Sequence, residues 1–102
     1  MNDTGLTNVQ IELLAKIFRK YAAIQSVKLY GSRAKGTFND RSDIDLVVFG
    51  EDIDRFLISD ILLELDDSDL PCSVDLHNYK ELKNQALKEH IDRVGVLIYG
   101  IE

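Results

Sequence analysis

The strongest constraint on the fold of this chain is the nearly continuous apolar run from Ile44 to Phe49, which Gly50 ends. An apolar run without strict alternation is typical of a strand that is buried on both faces of a sheet. Two acidic residues, Asp43 and Asp45, lie at the start of this run, where a buried strand seldom carries charge. The sequence therefore predicts a buried strand that opens with two carboxylates.

Helical and extended patterns alternate on either side of this strand. Thr7 and Gln10 have capping-box spacing ahead of a helical apolar face. A short helical turn is expected after Ser32. The order of elements predicts an α/β or α+β sandwich in which helices cover one face of a sheet. The apolar patterns predict helices over about Thr7–Ala23, Ile53–Leu65 and Lys80–Asp92, and further strands over Val27–Tyr30, Ser73–Asn78 and Gly95–Tyr99.

Length and composition limit the classes of protein to which the chain can belong. With 102 residues, 45% apolar and 29% charged, we expect one globular domain over residues 1–102. The net charge of −6 argues against a nucleic-acid-binding module, which needs a basic surface. No apolar run approaches the roughly 18 residues of a membrane span, and no secretion leader is recognisable, so we expect no membrane insertion. The single cysteine, Cys72, suits the reducing cytoplasm.

The acidic pair gains significance from a third carboxylate. Asp43 and Asp45 point to the same face of a strand, about 6.5–7 Å apart at the backbone. Alone, such a pair is typical of an exposed strand end. Asp75 is the only acid in the strand Ser73–Asn78 and faces away from its apolar residues. If that strand lies beside Ile44–Phe49, a third carboxylate joins the first two.

Carboxylates gathered in this way require a counter-charge. Two like charges about 5 Å apart repel by roughly 3 kcal/mol at an effective dielectric constant near 20. Mg²⁺ or Mn²⁺ supplies the missing positive charge and prefers oxygen ligands. Two ions about 3.5–4 Å apart align the attacking and leaving oxygens in phosphoryl or nucleotidyl transfer. A divalent-metal site is therefore predicted if the three acids meet.

A glycine-containing loop, Gly31 to Thr37, follows the predicted strand that ends at Tyr30. Main-chain N–H groups in such loops can hold phosphate oxygens, and Ser32 adds a hydroxyl. The glycines have P-loop spacing, but the Lys-Ser/Thr pair of a Walker A motif is absent. A plain turn is the alternative interpretation.

Together these residues resemble a known family. Gly31-Ser32, ten intervening residues and then Asp43-x-Asp45 are similar to the signature of polymerase β-like nucleotidyltransferases. The string GSRAKGTFNDRSDIDL, from Gly31 to Leu46, resembles the minimal nucleotidyltransferase branch of that family. The resemblance implies a polymerase β-like nucleotidyltransferase fold with a mixed β-sheet and helices mainly on one face.

The resemblance also implies roles for individual residues. It assigns catalysis and metal binding to three acids, with the third also helping to deprotonate the acceptor hydroxyl: Asp43, Asp45 and Asp75. It assigns binding of the nucleotide to four residues of the loop and its flank: Gly31, Ser32, Arg33 and Ser42. For Arg33 and Lys35 a solvated surface charge is an equal alternative to a phosphate contact. Ser42 has the alternative of capping the turn.

Other polar residues receive structural interpretations. A surface position is the more common one for His77, although it could line the site beside Asp75. His90 is expected to be an exposed residue of a helix, and Tyr30 a packing residue. The acidic run that includes Glu64 and Asp66 is interpreted as the solvated end of a helix.

The reaction that the resemblance implies is attack of an acceptor hydroxyl on the α-phosphorus of ATP, with two Mg²⁺ or Mn²⁺ ions and release of pyrophosphate. We expect the chain to hold the donor alone, so that the acceptor site comes from a second copy or from another protein, or is missing altogether. In this family the usual partner is a small helical HEPN-type protein, which receives AMP on a tyrosine while the transferase acts as its antitoxin. Two alternatives stay open: a non-catalytic nucleotide-binding module that neutralises its partner by contact, and a transferase for a small hydroxylated compound. The nucleobase, the acceptor and the oligomeric state do not follow from the sequence.

Overall fold

The chain folds into four α-helices and four β-strands within the part that the computed structural model describes, residues 4–39, 42–70 and 72–100. A single 3₁₀ turn, Tyr79–Glu81, lies between the third strand and the last helix. The elements are, in order, α1 (Asn8–Arg19), β1 (Ile24–Tyr30), α2 (Gly31–Lys35), β2 (Ile44–Gly50), α3 (Arg55–Asp66), β3 (Val74–Asn78), α4 (Gln85–Val94) and β4 (Val96–Gly100).

The strands form one mixed sheet in the order β3-β2-β1-β4. β1 runs antiparallel to both β2 and β4, whereas β2 and β3 are parallel. A parallel pair needs a crossover connection, and α3 provides it between β2 and β3. The predicted α+β class with a mixed sheet is therefore confirmed.

The two longest helices, α1 and α3, pack on one face of the sheet. Phe18 from α1 and Ile61 from α3 are fully buried there against Leu46 and Val48 of β2. Each such side chain contributes about 1.5–3 kcal/mol when it leaves water. A smaller cluster on the other face joins Ile91 of α4 to strand residues of β1 and β2. Helices thus cover mainly one face, and α4 leaves part of the other accessible.

The first helix is shorter than its apolar pattern predicts. The capping box forms as expected, since the Thr7 hydroxyl accepts the Gln10 N–H at 3.1 Å and the Gln10 side chain accepts the Thr7 N–H at 2.9 Å. The helix ends at Arg19 rather than at Ala23. Tyr21 lies outside the helix, and its hydroxyl donates to Glu64 on α3 at 2.6 Å.

The predicted helix over Lys80–Asp92 is also wrong in its extent. Its first residues belong to the 3₁₀ turn, and α4 begins only at Gln85. Asn84 starts the helix, because its side chain accepts the N–H of Leu87 at 3.2 Å. Among the described residues, no helix is long and apolar enough to cross a membrane.

Candidate active site

The parallel pairing of β2 and β3 brings the predicted acids together. Asp45 and Asp75 are register partners, so their side chains leave the same face of the sheet on strands about 4.8 Å apart. Asp43 lies two residues before Asp45 and is exposed, as is Asp75. Asp45 is half-buried between them. β3 therefore lies beside β2, which is the condition under which Asp75 was expected to join the other two carboxylates.

The charges in this cluster are not balanced. Burial raises the pKa of Asp45 above its usual value, and the negative charges of Asp75 and Asp43 raise it further. His77 opposes this shift, and its Nε2 atom lies 3.1 Å from an oxygen of Asp75. The ionised form of Asp45 is thus destabilised by its surroundings, and a nearby cation would remove this electrostatic cost.

The donor chemistry of the cluster fits a divalent cation, although the side chains are not yet arranged around one. Within residues 4–39, 42–70 and 72–100, no three His, Cys, Asp or Glu groups are close enough together to hold a metal ion. The Asp75 carboxylate is turned towards His77 instead. Because Asp43 and Asp75 are exposed, rotation of their side chains can bring carboxylate oxygens to Asp45, and oxygen is what Mg²⁺ and Mn²⁺ prefer.

The turn from β1 into α2 lies directly against Asp45. Gly31 has a φ of 76°, and a Cβ atom placed on it would overlap a carboxylate oxygen of Asp45. The positive φ favours glycine here, and any added side chain would also displace the Asp45 carboxylate. Ser32 follows and is half-buried, and its hydroxyl makes no hydrogen bond within the described part of the chain. Gly31 thus lies against Asp45, and the nucleotide-binding roles that the motif implies for Gly31 and Ser32 stay predictions.

Arg33 has a different role from either one expected for it. Its side chain is 3% exposed, so it is not a solvated surface charge. The guanidinium donates to the carbonyl oxygens of Thr4 (2.7 Å) and Ser42 (3.0 and 3.3 Å) and to the sulfur of Cys72 (3.3 Å). It also lies 5.1 Å from the ring centre of Phe38. Because all its nitrogens are already donors inside the protein, we assign Arg33 to the framework and not to the nucleotide.

Ser42, which directly precedes Asp43, has hydrogen-bond partners of its own. The Ser42 hydroxyl accepts the N–H of Asn39 at 2.9 Å, and the Ser42 N–H donates to the Asn39 carbonyl at 3.1 Å. These two hydrogen bonds match the capping alternative for Ser42. Lys35 is exposed at the end of α2.

The motif did not identify two neighbours of the site, His90 and Tyr30. His90 is half-buried rather than exposed, and its Nε2 atom accepts the N–H of Gly31 at 3.2 Å. Its ring meets Tyr30 edge to face, 6.4 Å between centres. Burial, followed by the charges of Asp45 and Asp75, raises the pKa of Tyr30 to about 12, so this hydroxyl keeps its proton at neutral pH. The sequence gives no signal for these contacts, which depend on where α4 packs.

A shallow groove of about 740 Å³ lies elsewhere, between α3 and the chain that leads into β3. Leu62, Leu63 and Cys72 line it together with Val74. Side chains alternate along a strand, so Val74 and Asp75 face opposite sides of the sheet. The groove is therefore on the α3 side and is separate from the acidic cluster.

Comparison with known proteins gives two sequence matches. The family model described as "Polymerase beta, Nucleotidyltransferase" matches residues 12–102. The chain is also 32% identical over 90 residues to a Haemophilus influenzae protein named "Probable protein adenylyltransferase MntA". That match covers 87% of this chain and 78% of the relative.

Solved structures share the fold. A chain from a toxin–antitoxin crystal structure with AMP-PNP matches with a TM-score of 0.74 and 24% identity, over 94% of this chain and 76% of the other. A chain from a structure of a tri-AMPylated Shewanella oneidensis HEPN toxin in complex with MNT antitoxin matches with a TM-score of 0.72 and 20% identity, over 94% of this chain and 74% of the other. At these identities the likeness concerns the backbone fold, which is the one predicted from the motif.

Proposed function

Because the chain belongs to the polymerase β nucleotidyltransferase family, in its minimal branch, we propose that it transfers AMP from ATP to a tyrosine hydroxyl of a small helical HEPN-type protein and thereby acts as its antitoxin. The observation that carries this proposal is the register of the parallel strands, which sets Asp75 beside Asp45 at the Gly31–Ser32 turn. The chemistry is that of the family, and the acceptor is inferred from the relatives.

The residues of the site divide the reaction between them. Two Mg²⁺ or Mn²⁺ ions held by Asp43, Asp45 and Asp75 would neutralise the charge of the phosphates. The hydroxyl and main-chain N–H of Ser32 would bind phosphate oxygens. Asp75 is exposed and can accept the proton of the acceptor hydroxyl as the new O–P bond forms and the bond to pyrophosphate breaks.

Two further observations support a protein acceptor. The Haemophilus influenzae relative carries the name of a protein adenylyltransferase, and the structural relatives come from toxin–antitoxin complexes. The net charge of −6 favours encounter with a more basic partner. We place this encounter in the cytoplasm, where the single Cys72 would stay reduced.

One observation favours a second candidate function, neutralisation of the partner by contact alone. The Asp75 carboxylate interacts with His77. A chain that has lost catalysis could keep this arrangement without penalty. The two functions differ in whether the partner's mass changes.

The test is to mix the chain with its HEPN-type partner, ATP and Mg²⁺ and to measure the intact mass of the partner. We expect the addition of one or more AMP groups, lost in Asp43→Asn and on adding EDTA. Asp60→Asn is the matched control, because it removes the same charge from an exposed position on α3. Without partner, pyrophosphate release should be slow, because nothing orients an acceptor. A tight complex whose partner never gains mass would establish the contact-only function.

A further inference from the structure

We propose that His90 is a positioning residue for the phosphate-binding turn, holding the Gly31 N–H so that Ser32, and not Gly31, provides the main-chain donor to the nucleotide. This deepens the proposed function and rests on it for the nucleotide alone. The contact between His90 and Gly31 is a property of the chain by itself.

The hydrogen bond joins parts of the chain that are far apart in sequence. Nε2 of His90 lies 3.2 Å from the Gly31 nitrogen, across 59 positions, and the bond is partly shielded from water. An imidazole nitrogen accepts a hydrogen bond only when it carries no proton, so the neutral ring must hold its proton on Nδ1. The Gly31 N–H therefore donates to a side chain of α4.

The position of the His90 ring is fixed from two sides. Its neighbour Ile91 is fully buried against Val47 and Tyr30, which anchors this part of α4 on the sheet. The ring also meets Tyr30 edge to face, with 80° between the planes. Since Tyr30 is the last residue of β1, His90 contacts both residues through which the chain enters the turn.

Holding Gly31 has a direct effect on the acidic cluster. The Gly31 backbone lies so close to Asp45 that a single added carbon would overlap its carboxylate. A shift of the turn would therefore either press on Asp45 or leave it room to move. By fixing Gly31, His90 sets the distance between Ser32 and the carboxylates.

The test compares His90→Ala, His90→Gln and the matched control Glu89→Ala, which alters an exposed residue on the same helix. Hydrogen exchange of the Gly31 amide is measured by NMR without nucleotide, and Mg²⁺–ATP affinity is measured by calorimetry. In His90→Ala we expect Gly31 exchange to accelerate and ATP affinity to fall by about 3- to 10-fold, the usual effect of one hydrogen bond. His90→Gln should restore most of both, because its amide oxygen can accept the same N–H, and Glu89→Ala should change neither.

Two results would overturn the proposal. Unchanged Gly31 exchange in His90→Ala means that the bond is absent in solution. A rise in ATP affinity in that variant means that His90 competes with phosphate for the Gly31 N–H. If the wild-type chain binds no ATP, the proposed function fails, and Gly31 exchange, with the His90→Gln comparison, still decides whether His90 holds the turn.

Discussion

Replacing Arg33 tests whether a buried cation holds the active site together. Its guanidinium donates to the chain at Thr4, at Ser42 and at Cys72. Ser42 immediately precedes Asp43, and Cys72 lies just before the strand of Asp75. Arg33 therefore ties together the starts of the two segments that carry the acids, and Arg33→Ala removes this tie.

The expected loss follows from the bonds that are cut. Hydrogen bonds from a charged donor contribute about 1.5–3 kcal/mol each to stability. Burying the guanidinium costs several kcal/mol, which offsets part of that contribution. Truncation also leaves the carbonyls of Thr4 and Ser42 without these donors. We expect a loss of about 2–6 kcal/mol, because each of these two carbonyls costs about 1–3 kcal/mol when it is left unsatisfied. For a domain of this size the melting temperature should fall by at least about 8 °C.

Thermal unfolding followed by circular dichroism, together with ATP titration, separates the two roles considered for Arg33. Arg33→Met should lose less stability than Arg33→Ala, because it fills the space without burying a charge. Lys35→Ala, an exposed change on the same short helix, should stay within about 0.5 kcal/mol of wild type. If Arg33→Ala keeps its melting temperature but loses ATP affinity, the guanidinium contacts phosphate in solution and our reasoning from burial is wrong.

Two other substitutions address the acidic cluster and its turn. Asp45→Asn should have a higher melting temperature than wild type in EDTA at neutral pH. The pKa of Asp45 is raised in the folded state, so the wild-type protein loses stability as the pH rises through that pKa, whereas the variant does not. The difference in melting temperature should therefore vanish at low pH, where Asp45 is protonated. Mg²⁺ should then raise the melting temperature of wild type only; a lower melting temperature for the variant in EDTA would contradict this. Gly31→Ala should destabilise more than Gly36→Ala, since both have positive φ but only Gly31 would meet Asp45, whereas Gly36 has open space. Equal losses of stability, at roughly 1 kcal/mol each from the dihedral angle alone, would mean that the Asp45 side chain moves aside at no cost.

The acids could be placed from sequence because strand alternation is a local rule. Alternation sets the face of Asp45 in β2 and turns Asp75 away from its apolar neighbours, whereas Asp43 lies just before β2, which begins at Ile44. That β2 and β3 are adjacent and parallel is a different matter, since it depends on how α3 packs against the sheet. The expectation that Asp75 joins the other acids came from the resemblance to the family. No pattern in the residues themselves predicts that β2 and β3 are neighbours.

Arg33 and His90 could not be interpreted correctly from sequence for a common reason. A charged residue in a glycine-rich loop is ordinarily exposed, and the partners that bury Arg33 are mainly carbonyl oxygens, which every residue has. His90 depends on a helix whose start was itself misplaced, because the capping role of Asn84 is visible only once the preceding turn is known. Contacts to main-chain atoms across long separations leave no trace in residue type.

The strand that carries Asp75, β3, is an edge strand of the sheet, with β2 on one side and no further described strand on the other. A strand held from one side opens locally at a lower free energy than the strands within the sheet. Such opening would carry Asp75 away from Asp45 while the rest of the domain stays folded. Metal ions bound between these two carboxylates would act as a reversible cross-link from the edge of the sheet to its interior, so that each binding event stabilises the strand that supplies its own ligand.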